Sequence, residues 1–379
     1  MKKLILLGAT GSIGDSVCSV IRQYPECARL VAFSYHNNFL QARKIAKEFS
    51  VNTVCCTKTN ISQEEKDYWN SQKVKLVRNL EELLEEDHDA VLSAVVGAVG
   101  LKPALATVSS GKDLMLANKE ALVVAGHLLT KIANDNGAKI LPVDSEHNSL
   151  FRLLSNTTDV EELILTASGG PFREKSLAEI KQATKKEVLN HPTWEMGAKI
   201  TVDSAGMINK ALEVMEAHYL FGFPYEKISA VIHPQSYVHA FIRHKDSSYS
   251  MHAAEADMRI PIAYCLFYPE SPPAILPVKP ANEIPTLTFE AIPKEKYPGF
   301  YLGVDAGKMG KAMPAVFNAA NEVAANAFLQ DKISFYQIPI IIEKTMEKTK
   351  NQWKAESIEE IIQADTVARE YANAILQEM

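Results

Sequence analysis

A chain of 379 residues is too long for one ordinary core, and two or three domains are expected. Hydrophobic residues at 47%, charged residues at 23% and a net charge of −6 describe a globular protein. No long basic run is present to engage nucleic acid or a membrane surface, so the substrate is expected in a pocket.

Met1-Lys-Lys-Leu-Ile-Leu-Leu7 resembles a signal peptide only superficially, because its apolar run stops at Gly8 and no cleavage site follows. Nothing approaches a membrane span. Cys18, Cys27, Cys55, Cys56 and Cys265 form no CxxC pair and no zinc-ligand spacing. An odd number with one adjacent pair suits a reducing compartment, so a cytoplasmic protein is expected.

Leu4 to Leu7 reads as a short buried strand, followed by Gly8-Ala-Thr-Gly-Ser-Ile-Gly14 and a helical stretch from Asp15 to Gln23. Glycines in this spacing permit a tight turn, close approach of a pyrophosphate and close helix packing, while the amides at the helix start attract the anion. The alternative is a purely structural glycine turn. A second strand, Arg29 to Ser34, ends in Tyr35-His-Asn-Asn38, and no Asp or Glu occurs from Cys27 to Lys47. An acid there would hold an unphosphorylated ribose, so its absence and the presence of His36 favour a 2′-phosphate. Further strands are expected at 51–56, 74–77, 90–96 and 113–117, alternating with helical segments as in a parallel, doubly wound α/β sheet. The last of them leads into Asn118, Lys119 and Glu120, at a strand end where such sheets bind ligands.

Ile140-Leu-Pro-Val-Asp-Ser-Glu-His-Asn148 delivers Asp144 and Glu146 at the end of an apolar run. In extended backbone residues two apart share a face, and two acids so placed repel unless a cation, a proton or a cationic substrate lies between them. The bland reading is two solvated acids, one of them capping a helix that starts near His147. Leu163 to Phe172 reads as a strand entering a Ser168-Gly-Gly turn that offers a hydroxyl and amides to an anion. His191-Pro-Thr-Trp-Glu-Met-Gly197 reads as a lid, unless Trp194 packs on a neighbouring helix. From Ser204 onward the pattern is helical, with Asn209 and Glu213 four apart on one face and Lys210 adjoining.

The ordered motifs GATGSIG, LANKEALV, PVDSEHN, LTASGGPF, HPTWEMG, DSAGMINKALE and HPQSYVH span nearly the whole chain, which resembles the 1-deoxy-D-xylulose 5-phosphate reductoisomerase family. The resemblance implies an NADPH-dependent enzyme that rearranges and reduces 1-deoxy-D-xylulose 5-phosphate to 2-C-methyl-D-erythritol 4-phosphate. It implies a Mg²⁺ or Mn²⁺ ion on Asp144, Glu146 and Glu213. Substrate contacts fall on Lys119, Ser145, Glu146, Ser168, His191, Trp194, Ser204, Asn209, Lys210 and Glu213, with Lys119, Glu146 and His191 in the catalytic set. Cofactor contacts fall on Thr10, Gly11, Ser12, Ile13, Asn118, Glu120, Gly197 and the turn His36, Asn37, Asn38, where many members carry Gly-Lys-Asn. Family members resemble one another in forming homodimers.

His233 to Ile242 and Ser248 to Ala254 alternate like half-buried strands, and His233, His239 and His252 match no metal-ligand spacing. Asp257 to Ile262 reads as a packed turn. Eight of the eighteen prolines fall between Pro269 and Pro298, which forbids continuous helix or central strand and implies an extended linker. Segments 315–329, 338–350 and 357–379 are helix-patterned, and Glu322 among them reads as solvated or packing-related.

The expected architecture is a Rossmann-like NADPH-binding domain (1–144), an α+β catalytic and metal-binding domain (145–268), a Pro-rich linker (269–298) and a C-terminal helical domain (299–379). The rival enzyme reading is a metal-free NADP-dependent dehydrogenase of another small phosphorylated metabolite, which leaves the three carboxylates without a task. A dinucleotide-sensing binding protein explains the glycine loop but not the Ser, Lys and carboxylate set.

Overall fold

A computed structural model describes every residue except Glu195 and Asn351. Its backbone divides into two compact units, the first formed by 1–121, 129–148 and 257–282, the second by 122–128, 149–256 and 283–379.

The first unit is built on seven strands: β1 (Lys2–Leu7), β2 (Ala28–Tyr35), β3 (Thr53–Cys56), β4 (Lys75–Val77), β5 (Ala90–Ser93), β6 (Asp113–Leu116) and β7 (Ile140–Pro142). They lie in the order β4-β3-β2-β1-β5-β6-β7, all parallel. The residues explain the arrangement. Strands covered on both faces need continuous apolar runs, and Leu4, Ile5, Leu6 and Leu7 are all fully buried. The chain leaves β1 toward β4 and returns to β5 on the other side of β1, so the order reverses between β1 and β5. In open α/β sheets this reversal is where the ligand crevice lies.

The segment 257–282 belongs to this unit, although the sequence suggested a packed turn and then a linker. Arg259–Phe267 is a helix that tolerates Pro261 because the proline falls in its first turn, where the missing N–H costs nothing. Lys2 Nζ donates to the Leu266 carbonyl at 3.0 Å, satisfying a group the helix end leaves open. Tyr24 meets Phe267 edge to face at 5.9 Å. Long-range anchors of this kind carry no local signature. The remainder of the proline-rich stretch contains one short turn of 3₁₀ helix at Ala281–Glu283, as its composition requires.

The second unit carries a mixed sheet of β8 (Val160–Ala167), β9 (Ile228–Ile232), β10 (Val238–His244) and β11 (Tyr249–Ala253), in the order β11-β10-β8-β9. Only β8 and β9 are parallel. The strand expected from His233 begins at Val238 instead, because His233 is used to close a turn. Its Nδ1 faces the Thr288 carbonyl at 2.9 Å and its Nε2 accepts from Tyr237 and Val238 N–H at 3.2 and 3.1 Å. The sheet's core side, with Leu163, Leu165, Ala240 and Ile242, packs against Ala211, Val214 and Ala217 of the helix Ile208–Phe221. Helices Pro298–Met309, Met313–Leu329, Gln337–Thr349 and Ile358–Gln377 complete the unit. Glu322 is packing-related: Arg369 Nη2 donates to it at 2.7 Å.

All five cysteines are free and buried, and burial pushes Cys18 and Cys55 up to about 12. Among the described residues no helix is long and apolar enough to cross a membrane.

His252 on β11 links this fold to pH. Its Nδ1 lies 2.8 Å from Ser149 Oγ, and burial, with Arg152 and His239 nearby, lowers it to about 4 from an ordinary 6.5. The folded value lies below the unfolded one, so the unfolded chain takes up the proton first. Stability is intact above about 6.5 and is lost as the pH falls toward about 4. His252→Asn is expected to be less stable than the wild type by about 1 kcal/mol at neutral pH, and the gap should narrow on acidification, measured as Tm against pH.

Candidate active site

The glycine turn of the first unit is shaped by close approach. Gly8 has φ +90°, and a Cβ there would stand 2.7 Å from the Ala94 carbonyl oxygen on the strand end across the reversal. No other residue type satisfies both limits without strain. The helix Ser12–Gln23 starts at Gly11, which supplies no side-chain cap, so backbone amides at Ser12 and Ile13 head the helix without competition from a cap. Thr10 is half-buried beside them.

At the end of β2, His36, Asn37 and Asn38 are all exposed. Asn38 caps the helix Phe39–Glu48, its Oδ1 accepting from Gln41 N–H at 3.1 Å. Asn118 caps the helix Lys119–Asp135 through Ala121 N–H at 3.0 Å and donates to the carbonyls of Val95 and of Gly97, the latter at 3.0 Å. Its amide is therefore committed to the protein and ties the loop after β5 to the end of β6. Glu120 beside it is buried.

Asp144 and Glu146 straddle the start of the helix Ser145–Leu154 rather than sharing one face of an extended strand. Asp144 takes the capping place: its carbonyl accepts Asn148 N–H at 2.9 Å and its Oδ1 accepts Glu146 N–H at 3.2 Å. Lys119 Nζ donates to its Oδ2 at 2.8 Å and His147 Nδ1 lies 3.1 Å from Oδ1. Ser145 Oγ donates to Glu146 Oε2 at 2.5 Å. The bland reading of one acid as a cap is thus realised, and it does not compete with the chemical one, since a carboxylate has lone pairs for both uses. His147, fully buried, was not singled out from the sequence. Its place three residues after Asp144, on the same helical face, was the available signal.

In the second unit, Ser168 directly follows β8, and Gly169 and Gly170 come next with φ +84° and +64°. This turn closes on the end of the helix Ala198–Ala205, where a Cβ on Gly170 would stand 3.0 Å from the Ser204 carbonyl oxygen. Tyr297 hydroxyl donates to the Gly169 carbonyl at 3.1 Å and holds the turn from behind. Ser168 Oγ lies 3.1 Å from His191 Nε2 and accepts Gly170 N–H at 3.2 Å. His191 Nδ1 accepts two backbone N–H groups, from Thr193 at 3.1 Å and Trp194 at 2.9 Å. The neutral ring therefore carries its proton on Nε2 and donates it to Ser168. Burial lowers His191 from its ordinary value, which favours that neutral form.

The expected lid, 191–197, has no regular structure among its described residues; Glu195 lies outside them. Trp194 is half-buried and Gly197 exposed, immediately before the helix Ala198–Ala205. That helix contains Thr201 to Ser204, a stretch the sequence did not suggest as helical before Ser204. It stops at Gly206, Met207 adopts φ +58°, and a new helix begins at Ile208. The break sets Ser204 at one helix end and Asn209 and Lys210 at the next helix start. Asn209 Nδ2 and Lys210 Nζ both donate to Glu213, which is 2% exposed.

The family profile described as 1-deoxy-D-xylulose 5-phosphate reductoisomerase matches residues 4–126. The profile of that enzyme's C-terminal domain matches 140–221, and one described as DXP reductoisomerase C-terminal domain matches 254–371. A 1-deoxy-D-xylulose 5-phosphate reductoisomerase of Leptospira interrogans serovar copenhageni is 44% identical over 376 residues, covering 96% of this chain and 95% of the relative. One from Geobacillus sp. (strain WCH70) is 43% identical, covering 99% of this chain and 100% of the relative. A crystal structure of DOX-P reductoisomerase in complex with NADPH, fosmidomycin and magnesium aligns with TM-score 0.93 at 35% identity, covering 100% of this chain and 98% of the other. The Zymomonas mobilis enzyme in complex with NADPH aligns with TM-score 0.91 at 35% identity, with both chains covered completely (100%).

Asn118→Ala removes a helix cap and leaves the half-buried carbonyls of Val95 and Gly97 without this donor, so a loss of about 1–3 kcal/mol is expected. Faster amide hydrogen exchange over residues 95–100 than over β1 would show that the side chain's work is to hold that loop.

Proposed function

The chain belongs to the 1-deoxy-D-xylulose 5-phosphate reductoisomerase family, and on that premise we propose that it converts 1-deoxy-D-xylulose 5-phosphate to 2-C-methyl-D-erythritol 4-phosphate with NADPH and Mg²⁺ or Mn²⁺. One observation from the chain itself carries the reading. Glu213 and Lys210, both buried, and the half-buried Asn209 form a polar group on a single helix face, a costly arrangement that folding alone does not require.

Asp144, Glu146 and Glu213 are assigned to the metal. The donor set fits a hard cation, since it is all carboxylate oxygen, and Asp144 is oriented by Glu146 N–H and His147 in the manner of a ligand held by outer partners. When bound, the cation polarises the substrate's carbonyl and hydroxyl oxygens and stabilises negative charge on them. The glycine turn and the bare helix start fit a pyrophosphate, with Thr10, Gly11, Ser12 and Ile13 as its contacts, and NADPH supplies the hydride.

The remaining residues bind and orient. Ser168 accepts from His191 Nε2–H and Gly170 N–H, so its own proton is directed outward to an anionic oxygen. Ser204, Asn209 and Lys210, gathered around the helix break, are assigned with Ser168 to the substrate phosphate, whose binding energy fixes the orientation of the reacting end. Lys119 and Ser145 are assigned to the substrate's oxygens beside Asp144 and Glu146. His191 and Trp194 close over the substrate as a lid that excludes water, with Gly197 toward the cofactor.

Residues 1–144 are assigned to NADPH, 145–268 to catalysis and 299–379 to a helical support joined through 269–298. A homodimer is proposed, supported by the edge strand β11, where Tyr249 and Met251 are exposed at 54% and 45%. A cytoplasmic setting is proposed from the free, buried cysteines.

The test is steady-state oxidation of NADPH with 1-deoxy-D-xylulose 5-phosphate, with and without divalent metal. Turnover that requires both substrate and metal supports the reading; turnover that persists after chelation points to the metal-free dehydrogenase. Trp194→Ala should lower kcat/KM by about tenfold or more while leaving Tm almost unchanged. A large fall in Tm with ordinary kinetics would show that Trp194 is a core residue.

A further inference from the structure

The turn after β2 raises a question that rests on the NADPH reading: Asn37 brings no charge, so the group that distinguishes a 2′-phosphate must lie elsewhere. His36 is exposed in that turn, with Nδ1 2.9 Å from Thr57 Oγ1 at the end of β3. The Thr57 hydroxyl donates to the Tyr35 carbonyl at 3.3 Å, and the same carbonyl takes Thr57 N–H at 2.9 Å. With its proton directed there, Oγ1 faces the imidazole as an acceptor, which places the neutral ring's proton on Nδ1. Nε2 then presents a lone pair when the ring is neutral and an N–H only when it is protonated.

We propose that His36 is the selectivity-determining residue for the phosphorylated cofactor and acts as the imidazolium, its Nε2–H donating to the 2′-phosphate while Thr57 holds the ring by Nδ1. A neutral ring would turn a lone pair toward phosphate oxygens and repel them. Binding of NADPH therefore takes up a proton that binding of NADH does not.

The neighbouring charges leave this role open to His36. Lys58, next to Thr57, pairs with Glu65 of the helix Gln63–Ser71 at 2.9 Å. Arg43 of the helix Phe39–Glu48 stands over the Tyr68 ring at 4.1 Å. Asp15 of the first helix accepts from Gln41 at 3.2 Å, and Cys56 Sγ lies 3.8 Å from the His36 carbonyl. Lys58 and Arg43 are thus each engaged by a side chain of their own.

A phosphomonoester becomes dianionic above about pH 6, and an imidazole donates from both ring nitrogens only while it carries the second proton, which rising pH removes. The advantage of NADPH over NADH should be largest near neutrality and shrink as the pH rises toward 9.

Dissociation constants of NADPH and NADH, read from nucleotide fluorescence on the full chain without substrate, test this at pH 6.5 and pH 9. In the wild type the affinity ratio should fall about tenfold or more between the two, the range of a charge-assisted hydrogen bond. His36→Gln should show a small ratio at both pH values, and His36→Lys should keep a large ratio at pH 9. A wild-type ratio with unchanged pH dependence in His36→Gln overturns the proposal and leaves NADPH as cofactor. The absence of any NADPH preference in the wild type at either pH overturns the cofactor reading itself.

Discussion

Glu213 is an ionisable carboxylate with almost no contact with solvent, and the second unit is arranged to compensate it. A buried charge without partners costs several kcal/mol, so Lys210 and Asn209 must stand within reach, which requires one helical face and a helix that starts just before them. That start requires the break at Gly206 and Met207, where the backbone enters the left-handed region at φ +58°. The break in turn frees Ser204 to end the preceding helix against the Ser168-Gly-Gly turn. One electrostatic requirement therefore bears on the turn at 168–170, both helices and the break between them. A structure selected for stability alone would more readily place a leucine at 213, since well-packed apolar groups often match or exceed a buried ion pair.

The first unit shows the same economy at its strand ends. Asn38, Asn118 and Asp144 each follow a parallel strand and each caps the next helix. Parallel sheets place all these junctions on one edge, so capping residues and ligand residues are drawn from the same short list of Asn, Asp and Ser. The proposed ligand positions are thus ones that the fold already needs. This is why the cap that Asp144 forms and its proposed place at the metal do not compete.

Much of this was legible in the sequence. The parallel sheet followed from apolar runs alternating with helical segments, and the C-terminal helices from their periodicity. The ends of elements were less so. Pro261 suggested a turn because a proline in the first turn of a helix and one in a loop look alike locally, and only the long-range capping by Lys2 distinguishes them. The strand from His233 started late because a ring nitrogen accepting two backbone amides has no pattern in one dimension. The spacing of Asp144 and Glu146 was noticed for a reason the structure does not support, since helix start rather than extended strand brings them to adjoining positions. Thr57 and His147 were missed because each acts through another side chain.

The account stands or falls on Glu213 as a metal ligand rather than half of a structural ion pair. Calorimetric titration of Mn²⁺ into the purified chain and into Glu213→Gln, with NADPH binding and Tm measured on both, is the most direct measurement. Removal of one of three charged ligands should weaken Mn²⁺ by about tenfold or more while NADPH still binds and the fold persists. Equal Mn²⁺ affinity in the two proteins would contradict the account and return Glu213, with Lys210 and Asn209, to the scaffold.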